Sequence, residues 1–138
     1  MIAIVVVSHS ARLASGLADL LVQMQPGVPV RAAGGAPGGG IGTNAGKIHR
    51  ALLEVDNPDG TLVFVDLGSA VMSTEVALER LTPGQRKHVL VSDAPLVEGA
   101  VLAVVNASLG LSLAEVAAAA QDARQFPKNV PNAPVEST

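Results

Sequence analysis

Six consecutive aliphatic residues, Ile2–Val7, run straight into the polar triplet Ser8-His9-Ser10, and this run restricts the possible fold more than any other feature. It lacks the apolar–polar alternation of a strand with one wet face, so it reads as a strand covered on both sides. Strands of that kind belong to parallel sheets packed between helices. The composition agrees: 49% of the 138 residues are hydrophobic, with only two Phe and no Trp or Tyr, so the core is built from Val, Leu and Ala. A chain of this length forms one domain with a sizeable core.

The rest of the chain alternates in the same manner. Leu13, Leu17, Leu20, Leu21 and Met24 repeat at helical spacing until Pro26-Gly27, and Val28–Ala33 is a weaker second strand. A glycine-rich loop, Gly34–Gly42, precedes a second helix with the apolar stripe Ala45, Ile48, Leu52 and Val55, for which Thr43 or Asn44 is the cap. Asn57-Pro58-Asp59-Gly60 is a turn. Leu62–Val65 is the third strand, ending in Asp66-Leu67-Gly68. Ser69 is the predicted cap of a third helix reaching Leu81, stopped by Thr82-Pro83-Gly84. His88–Val91 is a fourth strand, Asp93 and Pro95 open a helix to about Ser108, and Leu113–Ala123 is the last helix. Residues 1–123 form the domain. Residues 124–138, with Pro127, Pro131 and Pro134, read as a flexible tail.

This order predicts an α/β fold of three layers, a flavodoxin-like, mainly parallel sheet with helices on both faces and strand 1 between strands 2 and 3. In such sheets ligands bind beyond the carboxyl ends of the strands where the winding reverses. Two polar clusters fall there, Ser8-His9-Ser10 and Asp66-Leu67-Gly68-Ser69. Parallel neighbours lie about 4.8 Å apart, which puts His9 and Asp66 within side-chain reach. A carboxylate accepting the Nδ1–H of an imidazole leaves Nε2 as a free nucleophile and stabilises the cation formed when that nitrogen is phosphorylated. Helices beginning at the same crevice turn their amides and positive ends toward a phosphate. A lone histidine at a strand end is usually a structural hydrogen-bonding residue; the convergence at the switch point is what favours a phosphohistidine site.

Other readings fare worse. Gly40-Ile41-Gly42-Thr43-Asn44-Ala45 fits a relaxed dinucleotide fingerprint, but several loop residues separate it from the strand, and it opens the second βα unit rather than the first. A receiver domain phosphorylated on Asp66 needs acidic magnesium ligands after strand 1, where Ser8, His9 and Ser10 stand. His49 and His88 read as a helix flank and a strand edge, and Glu98 as a complement to a helix dipole. No His, Asp and Glu cluster suggests a metal site, and the absence of cysteine excludes thiolate chemistry. With 9 basic against 12 acidic residues and almost no aromatics, nucleic-acid binding is not expected. No apolar run approaches the roughly 18 residues of a membrane span, and Met1 leads into the first strand without a basic flank or cleavage site, so a cytoplasmic location is expected.

Val7-Ser8-His9-Ser10 followed by Ala14-x-Gly16-Leu17 resembles the active-site strand and helix of the mannose-type EIIA carrier domains of the bacterial phosphotransferase system. Asp66-Leu67-Gly68-Ser69-Ala70, Ser73-Thr74-Glu75-Val76-Ala77-Leu78 and Ala94-Pro95-Leu96-Val97-Glu98-Gly99-Ala100 are similar to the branch that serves phosphoenolpyruvate-dependent dihydroxyacetone kinase as phosphoryl donor. Sugar-transporting relatives tend to carry Thr-His-Gly and a doubled glycine after the aspartate; Ser-His-Ser and the single Gly68 favour the dihydroxyacetone branch. The resemblance extends from Met1 to about Ala123. It implies that His9 accepts phosphate from HPr and donates it to ADP held on the kinase's nucleotide-binding subunit. Asp66 would orient His9, and Ser10, Gly68, Ser69 and Thr43 would support the phosphate. It also implies a homodimer without a cofactor of its own. The glycine-rich loop departs from the family pattern, and its role is left open.

Overall fold

The computed structural model describes residues 1–131. Four strands, β1 (Ala3–Ser8), β2 (Val30–Gly34), β3 (Thr61–Val65) and β4 (Val89–Ser92), form one sheet in the order β2-β1-β3-β4. All three pairings are parallel. The helices are α1 (Ala11–Met24), α2 (Ala45–Glu54), α3 (Ser69–Glu79), the short α4 (Pro83–Arg86), α5 (Leu96–Ser108) and α6 (Leu113–Gln121). A 3₁₀ turn, Asp122–Gln125, follows α6.

The side chains of β1 divide the core by parity, as alternate residues of a strand point to opposite faces. Ile2, Ile4 and Val6 pack with Leu17 and Leu21 of α1, Val104 of α5 and Val116 of α6. Ala3, Val5 and Val7 pack with Ile48 and Leu52 of α2 and Ala77 and Leu78 of α3. Every residue of β1 is buried, as an unbroken aliphatic run requires, and each fully buried Val or Ile contributes about 1.5–3 kcal/mol. The result is a three-layer α/β sandwich with strand 1 flanked by strands 2 and 3.

Several element boundaries differ from the sequence expectation by a residue or more, and four of the differences are instructive. β2 begins at Val30 rather than Val28, because Pro29 has no N–H to donate and offers its carbonyl to Ile4 N. Asn44, not Thr43, caps α2, accepting from Gly46 N and Lys47 N. Ser69 is the first residue of α3 rather than its cap; Gly68 holds the cap position and makes no side-chain cap. Finally, α3 ends at Glu79, and Thr82-Pro83-Gly84 starts α4 instead of merely stopping α3. There the Thr82 and Gln85 side chains form a reciprocal capping box with Pro83 in the first turn.

Of the tail, residues 124–131 are described: Arg124 bonds to Asp93, and Lys128 pairs with Glu98. Residues 132–138 lie outside the described residues. Among the described residues no helix is long and apolar enough to cross a membrane.

Candidate functional site

The parallel pairing of β1 with β3 sets Val7 beside Val65, so the next residues on each strand, Ser8-His9 and Asp66, leave the sheet together. Asp66 uses both carboxylate oxygens. Oδ1 accepts from His9 Nδ1 at 2.9 Å and from Leu67 N at 2.8 Å. Oδ2 accepts from Ser8 Oγ and from His9 N, each at 2.9 Å. Burial raises the Asp66 carboxyl, but the hydrogen bonds from the His9 backbone and ring, Ser8 and the Leu67 amide outweigh it and hold the group below its ordinary value of 3.8. Asp66 is therefore an anion at neutral pH and accepts a hydrogen bond from Nδ1–H, which leaves the Nε2 lone pair free.

Nε2 faces Ser69 Oγ at 2.8 Å. With Nδ1 protonated, Nε2 is an acceptor, so the Ser69 hydroxyl donates to the atom that would take a phosphoryl group. Freed from capping, Ser69 serves the imidazole instead, since the first residue of α3 points its side chain over the crevice. The amides of Gly68 and Ser69 donate to no acceptor among the described residues, and at a helix start they are free for an anion. The His9 and Asp66 side chains keep 22% and 13% of their exposure, enough to admit a reactant while shedding most water.

The remaining residues sort by position. Ser10 caps α1, its Oγ accepting from Leu13 N at 3.2 Å. Gly68 leads into α3 with open space where a side chain would be. Thr43 bonds through Oγ1 to Ser73 Oγ on α3, so it ties the glycine loop to α3 without a recorded bond to His9. His49 is a half-buried flank residue of α2, and His88 precedes β4, its carbonyl accepting from Thr61 N.

Sequence reasoning passed over Ser8 as an individual. It is fully buried, donates to Asp66, and accepts from Ser10 N at 3.0 Å, so one hydroxyl locks the strand end to the carboxylate. The available signal was a serine closing an otherwise aliphatic buried strand. The glycine loop has a structural task here too: Gly35 N donates to Ser8 O and Gly42 N to His9 O, which holds the backbone of the histidine from the far side.

The family EIIA-man, described as the PTS system fructose IIA component, matches residues 3–117. The chain belongs to this family. It is 40% identical over 107 residues to the phosphoryl donor subunit DhaM of a PEP-dependent dihydroxyacetone kinase of Listeria innocua, covering 77% of this chain and 86% of that protein. It is 38% identical to the DhaM of Klebsiella michiganensis, covering 97% of this chain. The match takes in only 30% of that longer relative. Among solved structures, a protein of unknown function is 37% identical with a TM-score of 0.79, covering 88% of this chain and 93% of that one. A phosphotransferase EIIA component from Streptococcus agalactiae shares the fold at 18% identity and a TM-score of 0.66, covering 91% and 93%. Curated relatives of this EIIA-man chain are thus phosphoryl-transfer components of dihydroxyacetone kinases.

Proposed function

We propose that this chain is the phosphoryl-donor component of a phosphoenolpyruvate-dependent dihydroxyacetone kinase, taking a phosphoryl group from HPr onto His9 and passing it to ADP on the kinase's nucleotide-binding subunit. The observation that carries the reading is the Asp66–His9–Ser69 line, with Nδ1 held by a carboxylate and Nε2 presented to a hydroxyl at a helix start. The names of the Listeria and Klebsiella relatives support the choice of kinase over sugar transport.

In the first half-reaction the Nε2 lone pair attacks phosphorus, the Nε2–P bond forms, and the donor's N–P bond breaks with its imidazole leaving. No proton has to leave Nε2, because the neutral ring attacks through its lone pair. The ring then carries Nδ1–H and the phosphoryl together, and the Asp66 carboxylate offsets the positive charge. The phosphoryl oxygens displace the Ser69 hydroxyl from Nε2, and that O–H and the Gly68 and Ser69 amides donate to them. In the second half-reaction a β-phosphate oxygen of ADP attacks, the Nε2–P bond breaks, and neutral His9 is restored with Asp66 still on Nδ1. In this reading the working unit is a homodimer, as the resemblance implies, and the chain brings no cofactor of its own.

Incubation with phosphoenolpyruvate, the two general phosphotransferase proteins and the nucleotide-binding subunit tests this directly. An acid-labile, base-stable phosphate should appear on the parent, be absent from His9→Ala, and discharge only when the ADP-loaded subunit is present. Undiminished labelling of His9→Ala would sink the assignment, and discharge onto a sugar transporter would move the chain to the other branch.

A further inference from the structure

We propose that Ser8 is a positioning residue for phosphoryl transfer, acting through Asp66 by fixing the plane of the carboxylate that aims the His9 ring. The inference rests on the phosphocarrier reading above and adds a residue that no step of that mechanism uses.

Packing gives no reason for a serine at this position. Ser8 closes a buried strand whose other residues are all aliphatic, and its own side chain is fully enclosed. An apolar side chain would fill the place, whereas a buried hydroxyl costs free energy unless it is bonded. Both of its capacities are in use. Ser10 N donates to Oγ at 3.0 Å, and Oγ lies 2.9 Å from Asp66 Oδ2. An amide only donates and an ionised carboxylate only accepts. The single hydroxyl proton therefore points at Oδ2.

That bond decides how far the carboxylate can turn. The last torsion of an aspartate side chain is broad, so the carboxylate plane is set by what binds its oxygens. Oδ2 is held by the Ser8 hydroxyl and the His9 amide, while Oδ1 meets Leu67 N and the ring. Together these donors fill the roughly four lone-pair sites of a carboxylate. Without Ser8 the oxygen turned away from the ring keeps one donor, the plane gains freedom, and the ring follows it. A nucleophilic nitrogen is sensitive to such slack, since a misplacement of about 1 Å can cost about 10²-fold in rate.

Ser92 separates this role from that of an ordinary turn. It ends β4, two strands away from β1 in the sheet, and is likewise buried. Its Oγ accepts from Ala94 N at 3.2 Å, the same bond to the second residue onward that Ser8 makes with Ser10. No side-chain partner meets the Ser92 hydroxyl among the described residues, whereas Ser8 reaches an acceptor 58 positions along the chain. The local turn is common to both serines. The bond to Asp66 belongs to Ser8 alone.

A mutant cycle on the full chain tests the proposal. The parent, Ser8→Ala, Asp66→Ala, the double variant and Ser92→Ala are loaded from saturating phosphorylated HPr, and the single-turnover rate is read by rapid quench. Ser8→Ala should load about tenfold more slowly, the lower end of the loss when a partner that orients a reactive imidazole's support is removed. The HPr concentration giving half the maximal rate should not change. Ser92→Ala, which loses the same turn bond, should stay within about twofold of the parent. On the Asp66→Ala background the Ser8 substitution should add less than about threefold, because residues that act through one group are not additive. A loss below about threefold on the parent, a loss above it on the Asp66→Ala background, or an equal loss in Ser92→Ala overturns the proposal. NMR of the parent gives a reading that needs no Ser8 variant: its Ser8 hydroxyl proton should exchange slowly enough to be observed and should shift in Asp66→Ala. A resonance absent from the parent, or unmoved in Asp66→Ala, also overturns it. A parent that takes no phosphate on His9 defeats the carrier reading itself, and the hydroxyl resonance then still reports whether the Ser8–Asp66 bond exists.

Discussion

Asp66 concentrates more of this protein's chemistry than any other single residue. Its two oxygens take four hydrogen bonds, from the Ser8 hydroxyl, the His9 amide and ring, and the Leu67 amide, so it joins the two strand ends and orients the His9 ring at once. Asp66→Ala should fold but accept phosphate about 10²-fold more slowly, by analogy with other Asp–His pairs. Rapid-quench measurement of phosphohistidine formation checks this, and unchanged kinetics would remove the orienting role. The same residue shapes the acid response. Its folded carboxyl titrates below the ordinary value of 3.8, so it contributes stability that is complete above the unfolded value and disappears as pH falls through the folded one. The stability gap between parent and variant should accordingly narrow as pH falls below the ordinary value of 3.8 and through the lower folded one.

At the scale of elements, the crevice exists because three chain segments meet at the end of β1. The β1–α1 turn places His9, the β3–α3 turn places Asp66 and Ser69, and the glycine loop after β2 closes against both. The last of these depends on a close approach. Gly34 ends β2 with a virtual Cβ 2.6 Å from Ser10 O and 2.9 Å from the Ala14 Cβ, so α1 lies almost on the backbone of β2. Gly34→Ala should cost about 1–3 kcal/mol, the range for overpacking a fitted contact, and should slow phosphate uptake because Ser10 and His9 shift with α1. Thermal unfolding checks the first part. An unchanged midpoint would mean that α1 does not sit this close to β2.

For the molecule as a whole, the question is whether the chain holds a nucleotide itself. In a phosphate-binding loop the glycine amides are left free for the ligand. Here the loop bonds inward: Gly35 N to Ser8 O, Gly42 N to His9 O, Ala36 N to Gly40 O and Gly39 N to Ala36 O. Those four bonds brace the carboxyl end of the sheet. Titration calorimetry of the isolated chain with ADP should show no tight binding, while phosphate uptake from HPr proceeds without nucleotide. Tight ADP binding by this chain alone would restore the loop as a nucleotide site and reduce His9 to a structural residue.

The sheet order was legible in the residues because each of its causes is local or topological: a doubly buried strand must be aliphatic throughout, and right-handed crossovers leave few ways to wind four strands. His9 and Asp66 could be paired in advance for the same reason, since the switch point follows from strand order alone. What the residues could not disclose was which partner each polar group would choose. Ser69 reads as a cap because serine caps helices well, yet Gly68 takes that position and the hydroxyl goes to Nε2. Thr82-Pro83-Gly84 reads as a stop, although its threonine and Gln85 complete a capping box for another turn of helix. Ser8 looks like the end of a strand, and only the approach of β3 makes it a donor to Asp66. Periodicity and turn chemistry act over a few neighbouring residues, so sequence determined the elements and their order. Hydrogen-bond partners 57 to 60 residues apart depend on the distances that packing sets, and only the tertiary structure decided them.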